Sequence, residues 1–257
     1  MLTLLRTVEC YAPEPQGIID ILIGGGRIIA TAPKLDLNLS GVELEIVDGG
    51  DSLVIPGLVD TLVHIVGGGG EGGFASRTPE LPLSAAIRSG ITTMIGALGT
   101  DSVTRTLSNL LAKARELQQG GIRCFCHTGS YHLPAKTLTG SVESDIVFIP
   151  EFIGVGEVAI SDHRSSQPST QQLASLAAEA RVAGMIAGKS GIVSVHVGDG
   201  GQCLEPLWEV ARQTDLPLTQ FYPTHINRNP ELFSAGITFA KAGGVIDLTT
   251  STTPELL

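Results

Sequence analysis

Three histidines and one glutamate sit at or near the ends of apolar runs: Pro56-Gly-Leu-Val-Asp60-Thr-Leu-Val-His64, Val155-Gly-Glu157-Val, Ile192-Val-Ser-Val-His196 and Gln220-Phe-Tyr-Pro-Thr-His225. Imidazole nitrogens are borderline-soft donors and a carboxylate adds an anionic oxygen. Brought to one rim, His64, Glu157, His196 and His225 would therefore make a zinc-type site. A single histidine of this kind is as well explained by a core imidazole bonded to a carbonyl; recurrence at four strand ends favours ligation. His64 runs into Gly67-Gly-Gly-Gly-Glu71-Gly-Gly, where bare backbone N–H groups leave room for a substrate. A rival stretch, Gly184-Met-Ile-Ala-Gly188-Lys189-Ser190, is one residue short of the Walker spacing and closes a helical pattern instead of opening one.

The elements that must position these groups are legible as alternation. Short strand-like pieces (Leu2–Glu9, Ile18–Ile23, Arg27–Ala30, Glu43–Val47) predict a small β-rich domain over residues 1–54. From residue 55 to 257, apolar strands are predicted near 54–65, 91–98, 122–129, 152–160, 191–197, 219–225 and 244–249. Amphipathic helices are predicted near 80–89, 103–119, 139–148, 169–187, 202–213 and 230–242. Such strands, each followed by a helix, read as parallel and buried. Ionisable groups at four separate strand ends favour a (β/α)8 TIM-type barrel over a doubly wound sheet, whose switch point draws on about two. Only seven strands are predicted before Leu257, so the expected fold is α/β, an incomplete barrel beside the small β domain.

Composition narrows the partners. Of 257 residues, 42% are hydrophobic and 16% charged, which suits a sheet covered on both faces. The balance of 16 basic and 26 acidic residues repels phosphate backbones and anionic lipid, so neither nucleic acid nor a membrane is expected as partner. No apolar run approaches the ~18 residues of a bilayer span. The segment Met1–Arg6 lacks the features of a secretory leader, which predicts a cytoplasmic protein. Cys10, Cys124, Cys126 and Cys203 have no zinc-ribbon or disulfide spacing and read as buried strand thiols.

Pro56-Gly-Leu-Val-Asp60-x-x-Val-His64 resembles the strand-1 signature of the amidohydrolase superfamily. Within it, Gly67–Glu71, Arg77-Thr-Pro-Glu80, Leu98-Gly-Thr100-Asp101-Ser102, Thr128-Gly-Ser-Tyr131-His132, Ile160-Ser-Asp-His163-Arg164 and Pro223-Thr-His225-Ile-Asn-Arg228-Asn229 together resemble the isoaspartyl dipeptidases from about residue 8 onward. The resemblance implies a zinc metallopeptidase that hydrolyses β-aspartyl dipeptides, with a small dipeptide as substrate and a homo-oligomeric assembly. It implies that His196 and His225 hold one metal and that Glu157 bridges two, where some relatives use a carbamylated lysine. Glu71 would accept the substrate's amino group, Tyr131 would polarise the scissile carbonyl, Arg164 and Arg228 would clamp carboxylates, and Thr100 would line the pocket. Tyr131 and Glu157 are the expected catalytic groups.

Two departures shape the expectation. The family's strand-1 pattern is His-x-His, whereas Leu62 occupies the first position, so one zinc ion is expected where the family holds two. The resemblance also implies an aspartate at the end of an eighth strand as proton carrier, and no such strand is read here. The alternative expectation is an inactive fragment or pseudoenzyme that binds a single metal or completes its barrel with another chain. The β domain is likewise expected to lack C-terminal strands. His127, His132 and His163 are read as structural or supporting groups, and Asp162 as a structural ion-pair partner of Arg164.

Overall fold

The structure is a computed structural model that describes residues 1–50 and 52–250. Two compact units divide it, Met1–Leu58 and Val59–Leu257.

The first unit is a mixed sheet of β1 (Leu2–Tyr11), β2 (Pro15–Gly24), β3 (Arg27–Ala32), β4 (Leu44–Asp48) and β5 (Leu53–Val54). Its strand order is β3-β2-β1-β4, with β5 also on β1. Alternation places Val8, Cys10, Ile19 and Ile21 on one buried face. The reversal between β2 and β3 needs two left-handed residues, supplied by Gly25 and Gly26 at φ 58° and 72°. Buried Asp20 ties the sheet to the following loop by accepting from Arg6 Nη1 at 2.9 Å and from the Thr7 and Leu35 N–H groups at 3.0 Å.

The second unit alternates strand and helix: β6 (Leu58–Val63), α1 (Leu83–Arg88), β7 (Ile91–Gly96), α2 (Leu107–Gln119), β8 (Arg123–Thr128), α3 (Val142–Phe148), β9 (Phe152–Ile160), α4 (Thr170–Ala187), β10 (Ile192–Val197), α5 (Glu205–Gln213), β11 (Phe221–Thr224) and α6 (Pro230–Lys241). The strands lie in chain order, β6 through β11, and the pairs from β7 to β11 are parallel. Helix starts follow local chemistry. Thr106 and Asn229 cap α2 and α6, and Ser141 and Ser169 form reciprocal capping boxes on α3 and α4.

Strands β9 and β10 are buried on both faces because α4 covers one of them. Val155, Val158, Val193 and Val195 pack with Leu173, Ala177 and Ala180 in one core. The sheet is strongly curled. Six flat strands at ~4.8 Å spacing would hold the outer pair roughly 24 Å apart, yet Thr61 Oγ1 of β6 lies 3.0 Å from Tyr222 Oη of β11. This is the α/β barrel-type wrap expected, with six paired strands.

The seventh predicted strand, 244–249, does not form one. It makes two backbone bonds beside β11, Asp247 N–H to Pro223 O at 2.9 Å and Ile226 N–H to Asp247 O at 3.2 Å. A regular parallel ladder would draw the return bond from His225. That residue is left-handed at φ 65°, which passes the bond to Ile226 and ends the register. No helix among the described residues is long and apolar enough to cross a membrane.

Candidate metal and substrate site

The groups singled out in the sequence arrive at the C-terminal rim of the curled sheet, because in a parallel βα wrap every strand exits on the same side. His64 follows β6, Thr100 follows β7, Tyr131 follows β8, Glu157 lies on β9, His196 on β10, and His225 just after β11.

Glu157 is the centre. It has no solvent exposure, and its Oε1 lies 2.7 Å from His196 Nδ1 and 3.8 Å from His225 Nε2. The other oxygen, Oε2, lies 3.8 Å from His64 Nε2 and has no hydrogen-bond partner among the described residues. A buried carboxylate oxygen without a partner is costly unless something charged meets it. Burial opposes ionisation of Glu157, but the imidazoles of His196, His225 and His64 outweigh it and hold the carboxyl well below the usual range.

Donor atoms of Glu157, His196 and His225 all lie within 4.8 Å of one another. Tetrahedral ligation at ~2.0–2.2 Å spaces donors roughly 3–4 Å apart. The donor set and the orphaned oxygen both fit a divalent cation. Ring placement is backed from behind: His64 Nδ1 lies 3.0 Å from Ala97 O, and a Cβ at Gly68 or Gly99 would come within 3.0 Å of the His64 ring.

A second set of groups adjoins this one. Buried Tyr131 places its hydroxyl 2.8 Å from His196 Nδ1. Burial, then the Glu157 charge, pushes that phenol far up, so it remains an O–H donor at neutral pH. Glu71 Oε1 accepts from Thr100 Oγ1 at 2.8 Å and Arg164 Nη1 at 3.1 Å. Its own backbone N–H, the Thr100 hydroxyl and Arg164 keep it ionised against modest burial. Arg228 donates from Nε to Val197 O at 3.2 Å, with Nη2 3.5 Å from His196 Nε2. The glycine loop that carries Glu71 is held by buried Arg105, whose guanidinium bonds the carbonyls of Val66, Gly68, Gly69 and Thr78 at 3.0–3.2 Å.

All nine candidate residues are thus brought together. Sequence reasoning missed the place of Asp162. Its carboxylate does pair with Arg164, as expected, but Oδ2 also lies 2.9 Å from His196 Nε2. The one available signal was its position at the exit of β9, where a barrel presents its site.

Other readings resolve simply. His127 is fully buried on β8, its pKa pushed down to about 4 by burial. His132 Nε2 lies 2.8 Å from Arg164 O, and His163 is exposed. All four cysteines are free; Cys10, Cys124 and Cys126 are buried strand thiols as expected, whereas Cys203 is half-buried in the turn before α5, and burial raises Cys124 to about 12. Gly188 caps the end of α4 in the left-handed region, and Lys189 Nζ bonds Ile149 O at 2.6 Å, so this stretch cradles no phosphate.

No family model matches the chain. Over 99% of its length it superposes on a β-aspartyl dipeptidase from the thermophile Fervidobacterium islandicum AW-1, with a TM-score of 0.95 and 47% identity. The structure of such a dipeptidase from the same organism in complex with β-Asp-Leu gives 0.95 and 46%. The chain spans 69% and 66% of those two chains. A dihydroorotase from Staphylococcus epidermidis is 36% identical over 100 residues, which are 39% of this chain and 21% of that protein. Dihydropyrimidinase from Brevibacillus agri, at 14% identity and a TM-score of 0.60, shares the fold.

Proposed function

This chain belongs to the β-aspartyl dipeptidase family, with an amidohydrolase fold, and on that premise we propose that its site is built to hydrolyse the side-chain-linked amide of β-aspartyl dipeptides. The observation that carries the reading is the fully buried Glu157 carboxylate, its Oε1 against His196 and His225 and its Oε2 facing His64 with no hydrogen-bond partner among the described residues. Glu157, His196 and His225 would hold a zinc ion, with His64 turned to the free oxygen. Bound there, a divalent cation supplies Lewis acidity, drawing charge from a carbonyl oxygen and lowering the pKa of water.

The chain's own residues account for the substrate. A dipeptide with a free α-amino and α-carboxylate carries both charges close together, and Glu71 and Arg164 present the opposite pair 3.1 Å apart. The ammonium would be accepted by Glu71, whose Thr100 bond fixes its orientation. Carboxylates would be met by the planar forks of Arg164 and Arg228, which suit bidentate recognition. Tyr131, kept protonated, would donate its hydroxyl to the oxygen on which negative charge develops as the amide is attacked.

Leu62 favours a one-ion site, since an aliphatic side chain stands where a second strand-1 imidazole would be needed. A member of the family that binds an ion and the dipeptide with little turnover is the second reading. The deciding experiment incubates zinc-loaded and chelator-treated protein with β-Asp-Leu and with the α-linked isomer. Zinc-dependent release of aspartate and leucine from the β isomer alone is expected. Binding of β-Asp-Leu without release supports the second reading, and no β-selective binding or release sinks both.

A further inference from the structure

The geometry points to Asp162 as a positioning residue that joins the two halves of the site, fixing the His196 ring with Nδ1 toward Glu157 and holding the Arg164 guanidinium against Glu71. This rests on the ion-binding reading above and deepens it.

Asp162 is 5% exposed, in the turn that follows β9. Its two oxygens are fully used. Oδ1 accepts from the Arg164 backbone N–H at 2.8 Å and from Nε at 2.9 Å, while Oδ2 accepts from Nη2 at 2.6 Å and meets His196 Nε2 at 2.9 Å. The turn itself is tied down by Gln167 Nε2 and the Ser165 N–H, which donate to Asp162 O at 2.9 and 3.1 Å. The exit of β10 accommodates it: a Cβ at Gly198 would lie 2.6 Å from Asp162 Cβ.

An ion-pair role alone would need only Arg164. The contact with His196 does something different. An imidazole that ligates through one nitrogen must carry its proton on the other. With an ion bound, the Asp162 carboxylate at Nε2 is the acceptor that selects that tautomer, against the Arg164 Nη2 donor 3.2 Å from the same nitrogen, and it frees the Nδ1 lone pair for the ion on the side of Glu157 Oε1. The same carboxylate keeps the Arg164 fork from swinging to solvent, so that Nη1 reaches Glu71. Ion grip and substrate grip are therefore set by one side chain.

Zinc affinity, read by competition with a chromophoric chelator, is expected to fall about 10- to 100-fold in Asp162→Asn. The Kd for β-Asp-Leu should rise in the same variant. Arg164→Ala, which removes the clamp but keeps the Asp162 carboxylate at His196, should weaken the dipeptide more than Asp162→Asn does and zinc less. On the unmutated zinc-loaded protein, 15N-histidine NMR should find the His196 proton on Nε2, a result that needs no variant to fold. Unchanged zinc affinity in Asp162→Asn, while His225→Ala abolishes binding, overturns the role of Asp162 and leaves the ion site standing. A zinc-bound Nε2 overturns it too. Zinc binding that survives Glu157→Gln and His225→Ala overturns the ion site and this inference together.

Discussion

On the proposed function, Leu62 would set how many ions the site takes. Alternation in an extended strand puts residue 62 on the face of His64. Leu62→His should therefore raise bound zinc from one to two ions per chain, measured by elemental analysis after gel filtration; a ratio that stays at one would show that residue 62 does not face the ion. At this scale the sequence was highly legible where chemistry and spacing coincide. His64, Glu157, His196 and His225 converge because each sits near the end of its own parallel strand, a property visible as polar residues closing apolar runs. Asp162 was hidden because an arginine two residues on is a sufficient reason for a carboxylate. Nothing local reveals that its second oxygen meets an imidazole from the next strand.

Elements were legible where they carry their own punctuation. The predicted helices 169–187 and 230–242 match Thr170–Ala187 and Pro230–Lys241 because Ser169 and Asn229 supply caps that the backbone needs whatever the tertiary context. The segment 244–249 misled because apolar β-formers describe an extended chain equally well with or without a ladder, and here Val245 and Leu248 are left exposed. Its pairing is broken by the left-handed backbone of His225, a tertiary fact. On β9 the informative residue is Gly156, at φ 142°, where a Cβ would lie 2.4 Å from Ser194 O of the neighbouring strand. Gly156→Ala is expected to destabilise the protein by about 2–5 kcal/mol through backbone strain and overpacking. It should also weaken zinc binding by displacing Glu157. Urea titration and the chelator competition measure the two effects, and a neutral result in both would mean that β9 shifts freely.

The two ends of the curled sheet are joined by a polar cluster. Asp247 accepts from Tyr222 Oη at 3.1 Å and from Thr61 Oγ1 at 3.4 Å, so β6 and the 244–249 segment meet across it. Burial, only partly offset by the Leu62 N–H, and then the charge of Asp247 raise the pKa of Asp60. A carboxyl whose folded pKa lies above its unfolded value holds its proton more tightly in the native state. It costs stability progressively as pH rises above ~4, and that cost persists at neutrality. Asp60→Asn should therefore raise Tm at pH 7 and leave it unchanged near pH 3, as differential scanning calorimetry at the two values would show. An equal shift at both pH values would assign the effect to packing.

The bridge between Thr61 and Tyr222 spans 161 positions of chain, whereas within the curled sheet each strand pairs with the one before it. In kinetic terms the pairings of successive strands close short loops and consolidate early, while this bridge must wait for all the intervening βα units. Closure of the curl is thus a late event on the refolding path.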